Sequence, residues 1–519
     1  MVDARGRSWP PMLVAVTVAA AALLLAPAAR SSRVAVVVVP PAAVSSHAAG
    51  GAVGLLVPAA GATVTRAGAV RSLVTGRSFS SFAGDTGEAP RIRLSSAPSE
   101  VTIYVSLPPP GRHHNVVRYP LAIVGGGYRG ILVSRSTRID GLVSIADIAP
   151  TALALARGTP PPIAFRMSGT AAEVAALDRR MTRAHDSRGP ATVALAMVLG
   201  ALAAAAIVTR SPAISRAALL AAPAAISVAL LLSFAAVRAP AAVGLLIAAG
   251  GGAAALAGAC SERLFAPLIA LFLAAFLALL ASAPETNALA AIGPHPDGGV
   301  RFYGVTNQVE TLLLAPALAA AAVSRRWFVC IGLLGLVTVG WSRAGADGGG
   351  VLVLLAALAV PATRQRRTSV SGARVALAAV AGGAAAAALV AVDALSGGSS
   401  HVTRALAAGP STLLDDFWRR LHVTWGGATA SWHAALLCAL GIAALAVLAT
   451  RSPLSAPVAA VVAGLAVSLV VNDSPVDELV WGALGCAALW AHERSCRPTS
   501  RSCGRDVRRA SPAPVPRRA

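Results

Sequence analysis

An α-helical polytopic membrane bundle of about eleven to twelve transmembrane helices, preceded by an N-terminal extracytoplasmic α/β domain, is the fold class the sequence predicts. Three observations predict it. The 519-residue chain is 56% hydrophobic and 13% charged with a mean hydropathy of +0.69, a balance that excludes a single soluble domain and a disordered chain. From about residue 191 onward it is a near-continuous series of apolar runs, most of them about as long as a bilayer core is thick. Between residues 31 and 190 the hydropathy drops, Gly and Pro rise, and short β-branched runs replace the long ones.

Residues 1–30 carry Arg5 and Arg7 ahead of an apolar stretch from Met12 to Ala29 that ends in small residues before Arg30. This is a signal peptide or a signal anchor, and either one exports the residues C-terminal to it. Within residues 31–190, Val34–Val39, Val53–Val57, Val101–Val105 and Ile131–Val133 have the composition of buried strands, and helices fit Ala67–Thr75 and Ile145–Ala156. An α/β domain of about 150 residues buries its own core. It contains no cysteine, so packing and not disulfides holds it.

Residues 191–493 form the predicted bundle, with spans near 191–209, 214–237, 239–259, 264–283, 305–323, 327–341, 347–363, 374–393, 432–450, 453–471 and 476–492. With the domain outside, the cytoplasmic turns receive Arg210, Arg216, Arg263, Arg325, Arg326, Arg364, Arg366, Arg367, Arg374 and Arg451. Export and arginine bias thus agree on one topology, a multi-pass protein of the cell membrane with a cytoplasmic C-terminus. Residues 494–519 are a basic tail rich in Arg, Pro and Ser, disordered and drawn to anionic lipid. All 44 basic residues are arginine and the net charge is +22. The arginines lie between apolar runs and form no stripe beside aromatic platforms, so the expected partner is the lipid bilayer and not nucleic acid.

This topology gathers the unusual polar residues on the outer face. Arg301, Tyr303, Asn307 and Glu310 lead into one helix. Arg343 and Asp347 flank the next outer turn. Asp393, His401 and Arg404 mark a longer loop, and Asn472 and Asp473 close the last turn. Each has a structural reading beside the functional one. Arg301 and Tyr303 suit interfacial anchors, Asn307 and Glu310 suit interhelical hydrogen bonds, and Asp347 before Gly348–Gly350 suits a helix cap. Asp415 and Asp416 near Arg419 and Arg420 suit i,i+4 pairs on a solvated amphipathic helix, and Asn472 and Asp473 before Pro475 suit a turn. Their convergence on one side suits a pocket for a phosphate or sugar headgroup, with Arg holding the anion and a carboxylate or His moving protons. No P-loop, HExxH or GxSxG sequence occurs, and no cofactor or metal is expected. Cys496 and Cys503 lack the second close pair of a zinc site.

The stretch from Ile131 through Ser134, Arg135 and Ser136, continuing from Gly141 to Asp147, Pro150, Thr151 and Leu155, resembles the late segment of alkaline-phosphatase and sulfatase superfamily domains, and Val34–Val39 resembles their first strand. Active members of that superfamily hold two divalent metals with Asp and His around a Ser or Thr nucleophile. Here the first strand runs into Pro40 and Pro41, and Asp85, Asp140, Asp147, Asp178 and Asp186 with His47, His113, His114 and His185 lack the Asp-x-His pairing. The resemblance therefore implies a degenerate, non-catalytic domain. The whole layout resembles a group of uncharacterised polytopic proteins of high-GC Gram-positive bacteria that carry such a domain outside. The order of Arg301–Asn307, Ser342–Gly345, His401 and His422 is in turn similar to lipid-linked glycan polymerases and O-antigen ligases.

These readings lead to an envelope protein whose outer face handles a lipid-linked or cell-wall glycan or phosphate-bearing intermediate. One alternative is a ligase or polymerase acting through Arg301, Arg343 and His401. Another is a transporter or flippase, which requires polar residues towards the bilayer midplane, where this sequence has mostly Ala, Val and Leu. A purely structural partner protein is the third.

Overall fold

The computed structural model describes residues 33–78, 89–237, 239–364, 410–450, 456–472 and 474–496. The N-terminal segment 1–30, the span expected at 374–393 and nearly all of the basic tail lie outside the described residues. The chain divides into two compact units, the first reaching Ala175 and the second running from Ala176.

The first unit is built on a seven-stranded mixed sheet. Its elements are β1 (Val34–Val38), α1 (Pro41–His47), β2 (Ala52–Val57), β3 (Thr63–Thr65), α2 (Arg66–Thr75), β4 (Val101–Val105), β5 (Arg112–His114), β6 (Tyr119–Val124), β7 (Gly130–Ser134), β8 (Leu142–Ser144), α3 (Ile148–Arg157) and β9 (Ile163–Arg166). The strand order is β1-β4-β6-β2-β7-β9, with β8 also paired to β2 and a separate β3-β5 ribbon. β1 runs parallel to β4 and β2 runs parallel to β7 and β8, whereas β6 is antiparallel to both β2 and β4. Every residue of β4 is buried, the continuous pattern of a strand covered on both faces. All four expected strands and both expected helices are present within a few residues. Tyr119–Val124, Leu142–Ser144 and Ile163–Arg166 are strands beyond that expectation, because Pro120 and the short lengths of β8 and β9 mask their pattern.

The second unit is helical. α4 (Ala171–Thr209) passes without a break through Pro190, so the domain boundary expected at residue 190 falls inside a helix and the compact units divide at Ala175 instead. There follow α5 (Pro212–Phe234), α6 (Pro240–Gly258), α7 (Glu262–Ser282), α8 (Pro284–Ala288), α9 (Asn307–Ala321), α10 (Arg325–Gly340), α11 (Gly348–Arg364), α12 (Pro410–Thr429), α13 (Trp432–Thr450), α14 (Ala456–Val471) and α15 (Pro475–Cys496). Among the described residues, α4 to α7 are long and apolar enough to cross a membrane. The pair Leu421–Thr429 and Trp432–Leu448, bent by 107°, makes a fifth if counted as one span.

The remaining apolar runs among the described residues are helical where expected but fall short of that measure for identifiable reasons. Thr306 and Ser324 accept hydrogen bonds from Val309 N and Trp327 N and so fix the starts of α9 and α10. These helices have 15 and 16 residues, roughly 23 Å of rise against a hydrocarbon core of about 30 Å. α15 is longer but carries Asp477 and Glu478 in its first turn. Packing between helices relies on small residues: a Cβ at Gly251 would lie 3.1 Å from the Ala225 Cα, and one at Gly482 would lie 2.5 Å from a methyl carbon of Leu465.

Candidate functional site

Contacts define two ends of the helical unit. At one, Ser215 Oγ on α5 lies 3.1 Å from His492 Nδ1 and 3.1 Å from Ser495 Oγ on α15, and Phe265 of α7 packs on the His492 ring. The opposite end carries the sequence-predicted polar residues, and two tight turns position them. The Arg301–Val305 turn is held by Asn287 Nδ2, which donates to Gly304 O at 2.8 Å. Val305 N donates to Gly345 O at 3.1 Å, locking this turn onto the Trp341–Ala346 turn. Gly304 has φ +91°, and a Cβ there would collide with Gly345 O, so both a left-handed conformation and a close backbone approach require glycine. Gly304→Ala is expected to destabilise the helical unit by about 3 kcal/mol, whereas Gly298→Ala, with open space around its Cβ position, is expected to be near neutral; thermal unfolding in detergent checks both.

Around these turns Arg301 Nη2 pairs with Asp347 Oδ2 at 2.8 Å, and Arg301 Nη1 donates to Val305 O. Asp347 Oδ1 accepts from Gly350 N at 3.1 Å, so Asp347 caps α11 and neutralises Arg301 at once. Glu310, on the first turn of α9, is buried, and neither of its carboxyl oxygens has a hydrogen-bond partner among the described residues. A Cβ at Gly350 would lie 2.6 Å from Glu310 Oε2, and one at Gly349 would lie 2.5 Å from Asn472 Oδ1. The glycine run therefore makes room for two polar side chains against the start of α11. Asn472 is buried and donates from Nδ2 to Ser468 Oγ at 2.8 Å, while Asn307 Nδ2 donates to Ser474 Oγ at 3.2 Å.

Arg301, Glu310, Asp347 and Asn472 are thus brought together, with Asn307 tied in beside them. Tyr303 sits half-buried in the first turn and Arg343 is exposed on the second. Asp393, His401, Arg404 and Asp473 lie outside the described residues. Sequence reasoning missed Glu478, which is 1% exposed and whose charge acts on Glu310. Its signal was available: Glu478 is the fourth residue of an apolar helix, as Glu310 is. Below this cluster a small apolar cavity of about 40 Å³ lies between α7, α9, α10 and α11, with Glu310 at its wall among Phe276, Leu314, Ile331 and Leu354.

A second polar cluster at this end has no counterpart in the sequence reading. Asp297, 2% exposed, receives both terminal nitrogens of Arg188, one at 2.9 Å, and lies 2.9 Å from His185 Nδ1. Burial, with the nearby Arg188, lowers the pKa of His295 to about 4. The carboxyl of Asp297 is held below its usual range; burial opposes this, but the Arg188 hydrogen bonds, its charge and the two histidines outweigh that cost. Arg180 on the same helix pairs with Glu285 at 2.6 Å.

In the first unit the residues carrying the phosphatase resemblance are engaged in internal bonds. Ser134 Oγ donates to Asp147 Oδ2 at 2.7 Å and Ser136 Oγ donates to the same oxygen. Thr151 Oγ1 accepts from Ile163 N at 3.2 Å. Asp140 pairs with Arg166 at 3.3 Å and His47 stacks on Tyr104. Among the described residues no group of three His, Cys, Asp or Glu is placed to hold a metal ion. The chain matches no protein-family model, and no curated protein and no solved structure is detectably similar to it.

Proposed function

We propose that this chain is a multi-pass cell-membrane protein of eleven to twelve spans, its N-terminal domain extracytoplasmic and its C-terminus cytoplasmic, that binds a lipid-linked or cell-wall glycan or phosphate-bearing intermediate at its outer end. The first domain is a degenerate relative of the phosphatase and sulfatase domains that positions this ligand without hydrolysing it. One observation carries the reading. The small apolar cavity between α7, α9, α10 and α11 adjoins the Arg301–Asp347–Glu310 cluster, so this end of the bundle sets apolar and charged walls side by side, the pairing that a lipid-linked headgroup requires. The end that joins Ser215, Phe265 and His492 is the end that the arginine bias assigns to the cytoplasm, which supports the outer placement of the cluster.

The test is lipid-linked precursor content in a deletion strain complemented by wild-type protein or by Glu310→Gln and Arg301→Lys variants of matched abundance. Precursor accumulation relieved by wild type, with at least about tenfold weaker relief by the variants, is the expected result. Unchanged precursor pools, or full relief by both variants, would remove the proposal.

A second reading, a proton-coupled transporter or flippase, is favoured by Glu310 and Glu478, two buried carboxyls one turn inside their helices. It predicts that Glu310→Gln abolishes a transmembrane pH response in proteoliposomes while ligand binding persists.

A further inference from the structure

We infer that a separate cavity at the same end of the helical unit is a binding site for the phosphate headgroup of an anionic membrane lipid. The cavity, a shallow one of about 40 Å³, lies between α4, α5 and the start of α6, and it is lined by Arg180, Arg183 and Ser187 on one side and by Leu232, Ser233 and Val243 on the other. Its cations have spare donors. Arg180 commits one terminal nitrogen to Glu285 and retains the rest of its five N–H groups, and Arg183 has no ion-pair or hydrogen-bond partner for its guanidinium among the described residues. Ser233 Oγ donates to Thr286 O and Ser187 Oγ donates to Arg183 O, so the hydroxyls do not compete as donors and the arginines face the ligand as the available charge.

Level and lining together identify the occupant. The apolar stretch of α4 begins near Pro190, α5 ends at Phe234 and α6 starts at Pro240, so the cavity sits where these helices meet the headgroup layer. Leu231 and Phe234, beside the lining residues on α5, are 66% and 83% exposed, an apolar surface suited to acyl chains. Two guanidinium groups above an apolar wall complement a phosphodiester whose tails continue downward, and a free anion would leave that wall unused. The inference rests on the membrane placement proposed above and is independent of the Glu310 cluster.

The test is native mass spectrometry of the full-length protein titrated with phosphatidylglycerol or phosphatidylcholine, with inorganic phosphate as competitor. Phosphatidylglycerol is expected to be retained about tenfold better than phosphatidylcholine. Arg183→Gln should reduce that retention about fivefold, Arg183→Lys should keep it within about twofold, and Arg183→Glu should bring it down to the phosphatidylcholine level. Retention unaffected by Arg183→Glu would overturn the site, as would complete displacement of the lipid by a tenfold excess of phosphate, which would mark a site for a free anion. Failure of both lipids to associate at all would instead overturn the membrane placement.

Discussion

Asp297→Ala is expected to cost about 3–5 kcal/mol of stability, because it removes one side of a buried ion pair and leaves the other behind. The Arg188 side chain is only 16% exposed, and both of its terminal nitrogens end on Asp297. Without the carboxylate the guanidinium keeps its desolvation cost and loses its counter-charge, while His185 loses its 2.9 Å partner. A double variant, Asp297→Ala with Arg188→Leu, should recover much of the loss, since an apolar pair of similar volume carries no charge to bury. Thermal unfolding of the four proteins of this cycle in one detergent measures it; purely additive losses would mean that the pair is not coupled.

The same cluster makes the folded state less stable in mild acid. His295 has a folded pKa of about 4 against an ordinary 6.5, so below pH 6.5 the unfolded chain takes up a proton that the folded chain refuses. Stability is therefore full above pH 6.5 and falls as the pH drops towards 4, by roughly 3 kcal/mol over the window. Asp297, with its pKa held down, adds a loss only at still lower pH, as the folded carboxylate finally protonates. His295→Gln should flatten the slope between pH 6.5 and 4 and leave the more acidic loss in place. An unchanged slope in that variant would assign the effect to other groups.

Arg301→Ala is the second large expected loss, again about 3–5 kcal/mol. It strips the cation from a space shared by Asp347, Glu310 and Glu478, all less than 9% exposed. It also removes the bond from Arg301 to Val305 O that closes the turn. Arg301→Lys keeps the charge but not the second bond, because an ammonium is a point charge and not a fork, and should lose about half as much. Adding Asp347→Asn to Arg301→Ala should recover stability even though it weakens the cap on α11, since the like-charge repulsion then falls. If the double variant is less stable than Arg301→Ala, the cap outweighs the charge and Asp347 acts mainly through Gly350.

Much of this end of the molecule is legible in the sequence because topology alone gathers it. Once alternate helix ends share a side, Arg301, Glu310, Asp347 and Asn472 are forced into one neighbourhood before any side chain is placed. What periodicity cannot convey is which pairs meet. The Arg301–Asp347 bond depends on two turns locked by Gly304 and Gly345, a fact of backbone geometry that no spacing rule reports. The Arg188–Asp297 pair joins residues 109 apart, and its signal is hidden because a boundary at Pro190 assigns His185 and Asp186 to the first domain. Proline ordinarily stops a helix, yet this one runs through it. In the first unit the strong strands are legible from β-branched runs, whereas β8, with three residues, offers too few positions for any period to register.

The close approach of Gly251 to Ala225 and of Gly482 to Leu465 has a consequence for how such a molecule comes apart. In a bilayer, lipid tails are as apolar as Leu, so helices that separate lose contact surface but gain no hydrophobic penalty. Each helix also satisfies its own backbone and has no reason to melt. Loss of the native state in that setting is an exchange of neighbours, protein for lipid, in which circular dichroism stays nearly constant while distances between helices grow.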